Sequence, residues 1–424
     1  RIREELGDKA IRVSQCGPAG ERLVRISNVI HDGTRAAGRT GMGAVMGSKK
    51  LKAIGVRGEA KVPLADPDQL KTLAREIIAD MADAILPRAL RLAGTAGTVD
   101  SMIMYGDMPM RYYQQGDWDK AANLSGLLMA EQYQNRIYAC YRCPIGCGRE
   151  TRAPKYGLDR VDGPEYETIT AFGSLMMVDD LEAVICASHL CNVHGVDTIS
   201  TGCTIALACE MFERGILTQA DTGGLEIRYG DAAMAHRLIE MIARREGFGD
   251  VLADGSARAA QRFGSEAEDL LLTIKGSEMA AHMPQVKRTM AVLYAANPGG
   301  ADHTVYEHDP SYARFPERMA ELGLLTPQPP RALNGEMVRY SLYSQHLISA
   351  IDCAVGCKFV WGPAWQLFSS GQLVEAIRAI TGWNTNLWEL MKVGEAAGGG
   401  PEQGPFRGAS QGFRGQHIKG MRKT

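Results

Sequence analysis

Short apolar runs set the character of the first sixty residues. Ile11-Arg12-Val13, Leu23-Val24-Arg25-Ile26 and Ala53-Ile54-Gly55-Val56 alternate with glycine-rich turns. This pattern predicts strands around a loop, with Gly38, Gly41, Gly43 and Gly47 as the loop's hinges. Val62 to Pro67 reads as a linker, and beyond it the period changes to 3.6. From Asp68 to Ala84, Leu70, Leu73, Ile77, Ile78 and Met81 share one helical face behind the N-terminal signal Asp66-Pro67. Further helices are predicted over 180–194, stopping at Gly195, and over 200–215, 232–246, 251–263, 341–351 and 372–380. The predicted fold class is mainly α: two predominantly helical domains preceded by a short β-containing segment. The boundaries expected are 1–62, a helical domain over 63–280, a second over 281–395, and a disordered or aberrant basic tail over 396–424.

Composition supports a globular chain. Of 424 residues, 45% are hydrophobic and 23% charged, enough apolar chain for two or three domains. The net charge of -2 gives no whole-protein basic field, so nucleic acid is not an expected partner. No run reaches the roughly 18 apolar residues of a membrane-spanning helix. The first residues, Arg1 to Gly7, carry no apolar signal core, so a cytoplasmic location is expected, and a start inside a helical pattern suggests a fragment.

The ten cysteines are unevenly placed. Cys140, Cys143 and Cys147 form Cys-x2-Cys-x3-Cys, with Pro144 and Gly146 suited to a loop that folds back on itself. Three thiolates on one loop can cap three corners of an iron–sulfur cube, leaving the fourth iron to a distant ligand. A structural zinc site would more often show two Cys-x2-Cys pairs, whereas the second pair here, Cys353 and Cys357, is Cys-x3-Cys. Zinc and simple packing stay open from spacing alone.

Five segments then occur in one order: Arg35 to Lys49, Cys140 to Cys147, Gly163 to Thr168, Leu190 to Gly202, and Gly300 to His303. Together they resemble the aldehyde:ferredoxin oxidoreductase family, from residue 1 to about residue 395, without most of that family's N-terminal β-rich domain. The resemblance implies a tungsten (or molybdenum) bis-pyranopterin, a 4Fe–4S cluster, and magnesium bridging the pterin phosphates as an accessory ion. It implies a small aldehyde or acyl substrate, ferredoxin or another Fe–S carrier as electron partner, and a homodimer. Arg35, Ala36, Gly38 and Arg39 are then the phosphate cradle, in line with backbone N–H groups and guanidiniums at a glycine turn. Asn192, Val196 and Asp197 read one pterin, although the turn reads equally as helix capping, and Asp352 and Lys358 belong to the second pterin. Cys357 is the fourth cluster ligand, with Cys353 as the competitor. Glu165 and His303 are the expected catalytic pair, since an aldehyde oxidation needs groups that move protons; Glu167 and His308 are their alternates. Reduction of aromatic-ring acyl thioesters, and an inactive Fe–S scaffold, are the competing functions.

Overall fold

The computed structural model describes residues 2–365 and 367–398. The tail expected to lack structure lies, from residue 399 onward, outside the described residues; before that, the helix Leu387–Ala397 runs through the expected boundary.

The fold is mainly α, as the periodicity predicts. Where polar caps bracket an apolar period, element and reading coincide. Asp66 accepts from Gln69 N–H (2.9 Å) and Pro67 opens the helix Pro67–Asp80. Asp180 caps Leu181–His194, which Gly195 ends at φ +74°. Asp197 starts the next helix, Thr198–Glu213, by accepting from Ser200 N–H at 2.9 Å. That helix is buried on nearly every side and forms the centre of the larger apolar cluster.

Three readings change. The predicted helix 251–263 is two short helices, Phe248–Leu252 and Ser256–Gln261, because Gly255 sits at φ +83° between them. Leu23 to Ile26 is not a strand: Leu23 turns at φ +58° and Val24 points into the core. Gly43 and Gly47 are not hinges but lie inside the helix Met42–Ser48, where a Cβ on Gly47 would stand 1.9 Å from Gly20 O. Small residues there let two backbones touch.

The β structure is sparse and polar. Strands β1 (Arg12–Cys16), β2 (Val29–His31), β3 (Arg35–Ala37) and β4 (Ala53–Val56) form an antiparallel sheet ordered β3-β2-β1-β4. A second antiparallel sheet, β5 (Gln134–Tyr138), β6 (Gly148–Ala153) and β7 (Leu158–Asp162), was not foreseen. Its middle strand reads Gly-Arg-Glu-Thr-Arg-Ala and buries Arg149 and Thr151, so no apolar alternation announces it. A second apolar cluster spans Met279 to Leu390, and Tyr113 and Leu272 pack against both clusters.

Candidate functional site

The cysteine loop is the turn joining β5 to β6. Arg142 (φ +53°) and Gly146 (φ +70°) reverse the chain twice within it, so its three thiols stay close. Ile145 of this loop packs with Val360, Leu90 and Leu367, and Cys143 and Cys147 border the same apolar patch. Val360 belongs to the helix Lys358–Trp361, which Cys357 precedes as N-cap residue. The packing therefore brings Cys357 to the loop across more than two hundred residues. Burial first and Glu165 next push the Cys147 thiol up to about 11 against the pull of Arg35, with Cys357 and Cys143 adding to the rise. Burial also raises Cys357, with Cys143 and Cys140 adding to it. Three thiols on one loop with a fourth packed beside it are the donor set an iron–sulfur cube takes, so these four fit a cluster. Cys353 ends the helix Gly335–Cys353, exposed to solvent.

Beside Cys147 stands a clamp of opposite charges. Arg35 Nη1 donates to Glu165 Oε1 at 3.1 Å, and Thr95 Oγ1 donates to Glu165 Oε2. Arg149, with no solvent exposure, lies 3.4 Å from Glu165 Oε2 and donates to Cys147 O and Pro164 O, both at 2.9 Å. Burial would raise the Glu165 carboxyl, but Arg149 and then Arg35 hold it below its ordinary value. Arg35 keeps Nε and Nη2 buried without a partner, on the exposed edge strand β3. Unpaired guanidinium donors at the edge of the sheet fit an anionic group such as a pterin phosphate.

Arg39 is placed differently. Its guanidinium donates to Ser277 Oγ (2.7 Å), Glu278 O (2.6 Å) and Ala301 O (3.1 Å), and its Nε lies 3.6 Å from Asp197 Oδ2. It ties the N-terminal loop to the strand and loop around it. Gly38 faces Asp197: a Cβ there would sit 3.2 Å from Asp197 Oδ1. The turn after Asn192 is bonded to the N-terminal segment through Asn28 Nδ2 to Val196 O (2.9 Å) and Asp197 N–H to Ile26 O (2.8 Å). The two glycine turns thus adjoin, and Asp197 both caps its helix and faces the loop. Asn192, half-buried, closes the preceding helix. Lys358 donates to Tyr306 O and lies 3.8 Å from Glu307 Oε2. Asp352 is exposed, and burial and the nearby Asp302 raise its carboxyl against the pull of Lys358.

His303 meets a different glutamate from the one expected. Glu167 Oε1 lies 3.4 Å from His303 Nδ1 and 3.6 Å from His282 Nε2, and has no hydrogen-bond partner. Its other oxygen accepts from Ala281 N–H at 2.9 Å. Tyr166 separates Glu165 from Glu167, so the two carboxylates open on different neighbours. Asp302 fixes the His303 loop by accepting from Thr304 N–H (2.8 Å) and Oγ1 (2.7 Å). Burial pushes both His282 and His303 down to about 4, with Lys287 adding to the effect on His282. His308 is not at the carboxylate; its Nε2 donates to His303 O at 3.1 Å. His282, Asp107, Lys287 and Arg149 were not singled out in the sequence. A charged residue inside apolar surroundings, as in Gly106-Asp107-Met108-Pro109-Met110, was the available signal.

A cleft of about 1020 Å³ opens on the outer side of Arg35, lined by Arg12, His31, Arg136, Tyr138 and Cys140 among others. Glu167 and His303 do not line it. Among the described residues no helix is long and apolar enough to cross a membrane.

The chain as a whole is similar to known proteins. The family model for aldehyde ferredoxin oxidoreductase, domains 2 and 3, matches residues 72–397, and that for the N-terminal domain matches residues 1–58. The tungsten-containing aldehyde ferredoxin oxidoreductase of Pyrococcus furiosus is 36% identical over 399 residues, covering 93% of this chain and 63% of that protein. The aliphatic sulfonate oxidoreductase WOR-like subunit of the same organism is 28% identical over 383 residues, 87% of this chain and 55% of the relative. Among solved structures, the active-site complex BamBC of benzoyl coenzyme A reductase, bound to 1,5-dienoyl-CoA, superposes with a TM-score of 0.75 at 20% identity. It is matched over 93% of this chain and 65% of that chain. The chain thus spans about 63% of the length of the aldehyde oxidoreductases it matches.

Proposed function

The chain belongs to the aldehyde ferredoxin oxidoreductase family, and from that premise we propose that it oxidises small aldehydes to carboxylic acids at a tungsten or molybdenum pterin. The observation that carries this is the packing of Ile145 against Val360, which sets Cys357 beside the Cys140–Cys147 loop, next to the unpaired buried donors of Arg35. When bound, the metal pterin supplies a two-electron acceptor and the cluster a one-electron outlet toward ferredoxin or a similar carrier. Aldehyde and water become carboxylic acid, two protons and two electrons.

The chain's own residues then divide the work. Arg35 neutralises pterin phosphate while its Nη1 stays on Glu165. Arg149 holds the cysteine loop and Glu165 in one rigid unit. Asp197 and Asn192, at the glycine turn, would hold one pterin through polar contacts, and Asp352 and Lys358 would serve the second. Glu167, whose Oε1 is buried and unpaired, takes the proton released as water adds to the carbonyl carbon. His303, neutral because of burial, keeps its Nδ1 toward Glu167 and offers Nε2 to the carbonyl oxygen. Glu165, held ionised by two guanidiniums, is the weaker base, so the expected Glu165–His303 pair becomes Glu167–His303.

The test is anaerobic preparation of the whole protein, with metal and pterin analysis and aldehyde-dependent reduction of a viologen dye or ferredoxin. Tungsten or molybdenum, pterin and iron near four per chain, with aldehyde turnover, are expected. A loaded protein that ignores aldehydes but reduces an aromatic acyl thioester would move the reaction to the other branch of this fold.

A further inference from the structure

Behind the Glu167–His303 pair lies a buried ion pair for which that chemistry has no use so far. Asp107, fully buried, lies 2.6 Å from Lys287 Nζ, itself only 2% exposed. Asp107 also lies 2.7 Å from His282 Nδ1 and accepts from Met283 N–H at 3.1 Å. Lys287 Nζ is 3.0 Å from His282 Nδ1 and 3.0 Å from His308 Nδ1. Two unpaired buried charges would be very costly, so the pair must hold together.

The chemistry of donors fixes more than charge. An ammonium donates and never accepts, so the His308 nitrogen facing Lys287 must be bare. The proton of neutral His308 then sits on Nε2, which donates to His303 O. His282 Nδ1 faces both the ammonium at 3.0 Å and the carboxylate at 2.7 Å. A bare nitrogen cannot face a carboxylate that closely, so Nδ1–H donates to Asp107 and Lys287 directs its protons to Asp107 and His308 instead. His282 Nε2 is then bare, and it faces the unpaired Glu167 Oε1 and, beyond it, His303 Nδ1. With the His303 proton on Nε2, as its proposed role requires, the three ligand atoms, all within 4.8 Å of one another, hold no proton unless they share one. Tyr166 stacks on His282, ring centroids 5.5 Å apart and planes at 24°, and holds the ring in place.

We infer that Asp107 and Lys287 are positioning residues which set the tautomers of His282 and His308, and that His282 thereby joins Glu167 and His303 in holding one exchangeable proton. This rests on Glu167–His303 as the proton-handling pair. His282 Nε2 shares the proton that Glu167 takes up during the oxidation, and solvent water accepts it at the partly exposed His303 side of the triad, so the carboxylate is free for the next turnover. The charged or titratable groups facing this triad include Asp107, Lys287, His308 and Tyr166, with Tyr113, Tyr294 and Cys203 beside Glu167 and with Lys358 and Asp302 from the adjoining loops.

The experiment is 15N-histidine NMR of the oxidised holoenzyme, alongside the pH profile of kcat. The parent should show His308 neutral with its proton on Nε2, and His282 with its proton on Nδ1, from pH 6 to pH 9. Lys287→Met should unlock His308 into mixed tautomers. Asp107→Asn should shift the His282 signals and lower kcat at least tenfold with KM little changed, and Lys287→Arg should restore most of the parent spectrum. Should either single variant fail to fold, Asp107→Asn with Lys287→Met removes both charges together and leaves neither buried alone. Unchanged histidine signals in these variants would overturn the positioning role. So would a divalent ion bound stoichiometrically in the parent and lost in Glu167→Ala, because the triad would then be a metal site. The NMR result does not depend on turnover: failure of aldehyde oxidation with the tautomers as stated would count against the proposed reaction alone.

Discussion

Glu167 Oε1 approaches His303 Nδ1 to 3.4 Å, buried and without a hydrogen-bond partner, although the two residues are 136 positions apart. Only two positions upstream, Glu165 is fully engaged by Arg35, Arg149 and Thr95. The proposed proton transfer rests on this difference between neighbouring glutamates.

Glu167→Gln should lower kcat by about 10²–10⁴ while iron, metal and pterin contents stay at parental levels, since general-base catalysis is worth about that much. Glu165→Gln should cost less than about tenfold in kcat, because its role is to anchor two arginines. Steady-state kinetics with metal analysis of both variants decides between them. The opposite ranking would return the base to Glu165.

Cys357→Ser should lose the cluster or convert it to a three-iron form, whereas Cys353→Ser should keep it. The reason is the shared patch of Ile145 and Val360, which brings Cys357, directly before the helix of Val360, to the loop, whereas Cys353 ends the preceding helix four residues earlier. Iron content and EPR of the reduced protein read this directly. A cluster that survives loss of Cys357 and not of Cys353 would refute the assignment.

Gly94→Ala should destabilise by more than about 2 kcal/mol. Gly94 has φ +60°, and a Cβ there would fall 1.0 Å from Arg149 Nη1, so the buried guanidinium would have to leave Cys147 O and Pro164 O unpaired. Urea unfolding of the anaerobic protein measures it. A change below 1 kcal/mol would mean that Arg149 relaxes freely.

Acid should weaken the fold through the buried histidines. Folded His282 and His303 are held down to about 4, below the unfolded value of about 6.5. Between those values the unfolded chain binds more protons, so stability falls as pH drops from 6.5 to 4. Asp107, held well down despite burial because His282 and Lys287 face it, acts in the same sense: its contribution is present above the ordinary carboxylate range and is lost in stronger acid. Urea midpoints at pH 7 and pH 5 should differ in the parent and differ less in His282→Gln. Equal pH dependence in the two proteins would remove His282 from the account.

The sequence by itself determined the helical framework and the chemical cast. Asp66, Asp180 and Asp197 cap helices where a short acceptor precedes an apolar period, because the first backbone N–H groups of any helix need a nearby oxygen. The Cys-x2-Cys-x3-Cys spacing keeps three sulfurs on one turn whatever surrounds it. Tertiary structure alone decided the partners. The β5–β7 sheet holding that turn has a polar central strand, so no hydrophobic alternation marked it. Arg39 matched the expected cradle by position, yet the packing of residues 277–278 and Ala301 against it turned its donors inward. Glu165 and Glu167 look alike in a string of letters. Only the folded backbone puts one between two guanidiniums and the other beside two imidazoles, because contacts across more than a hundred residues have no local signature.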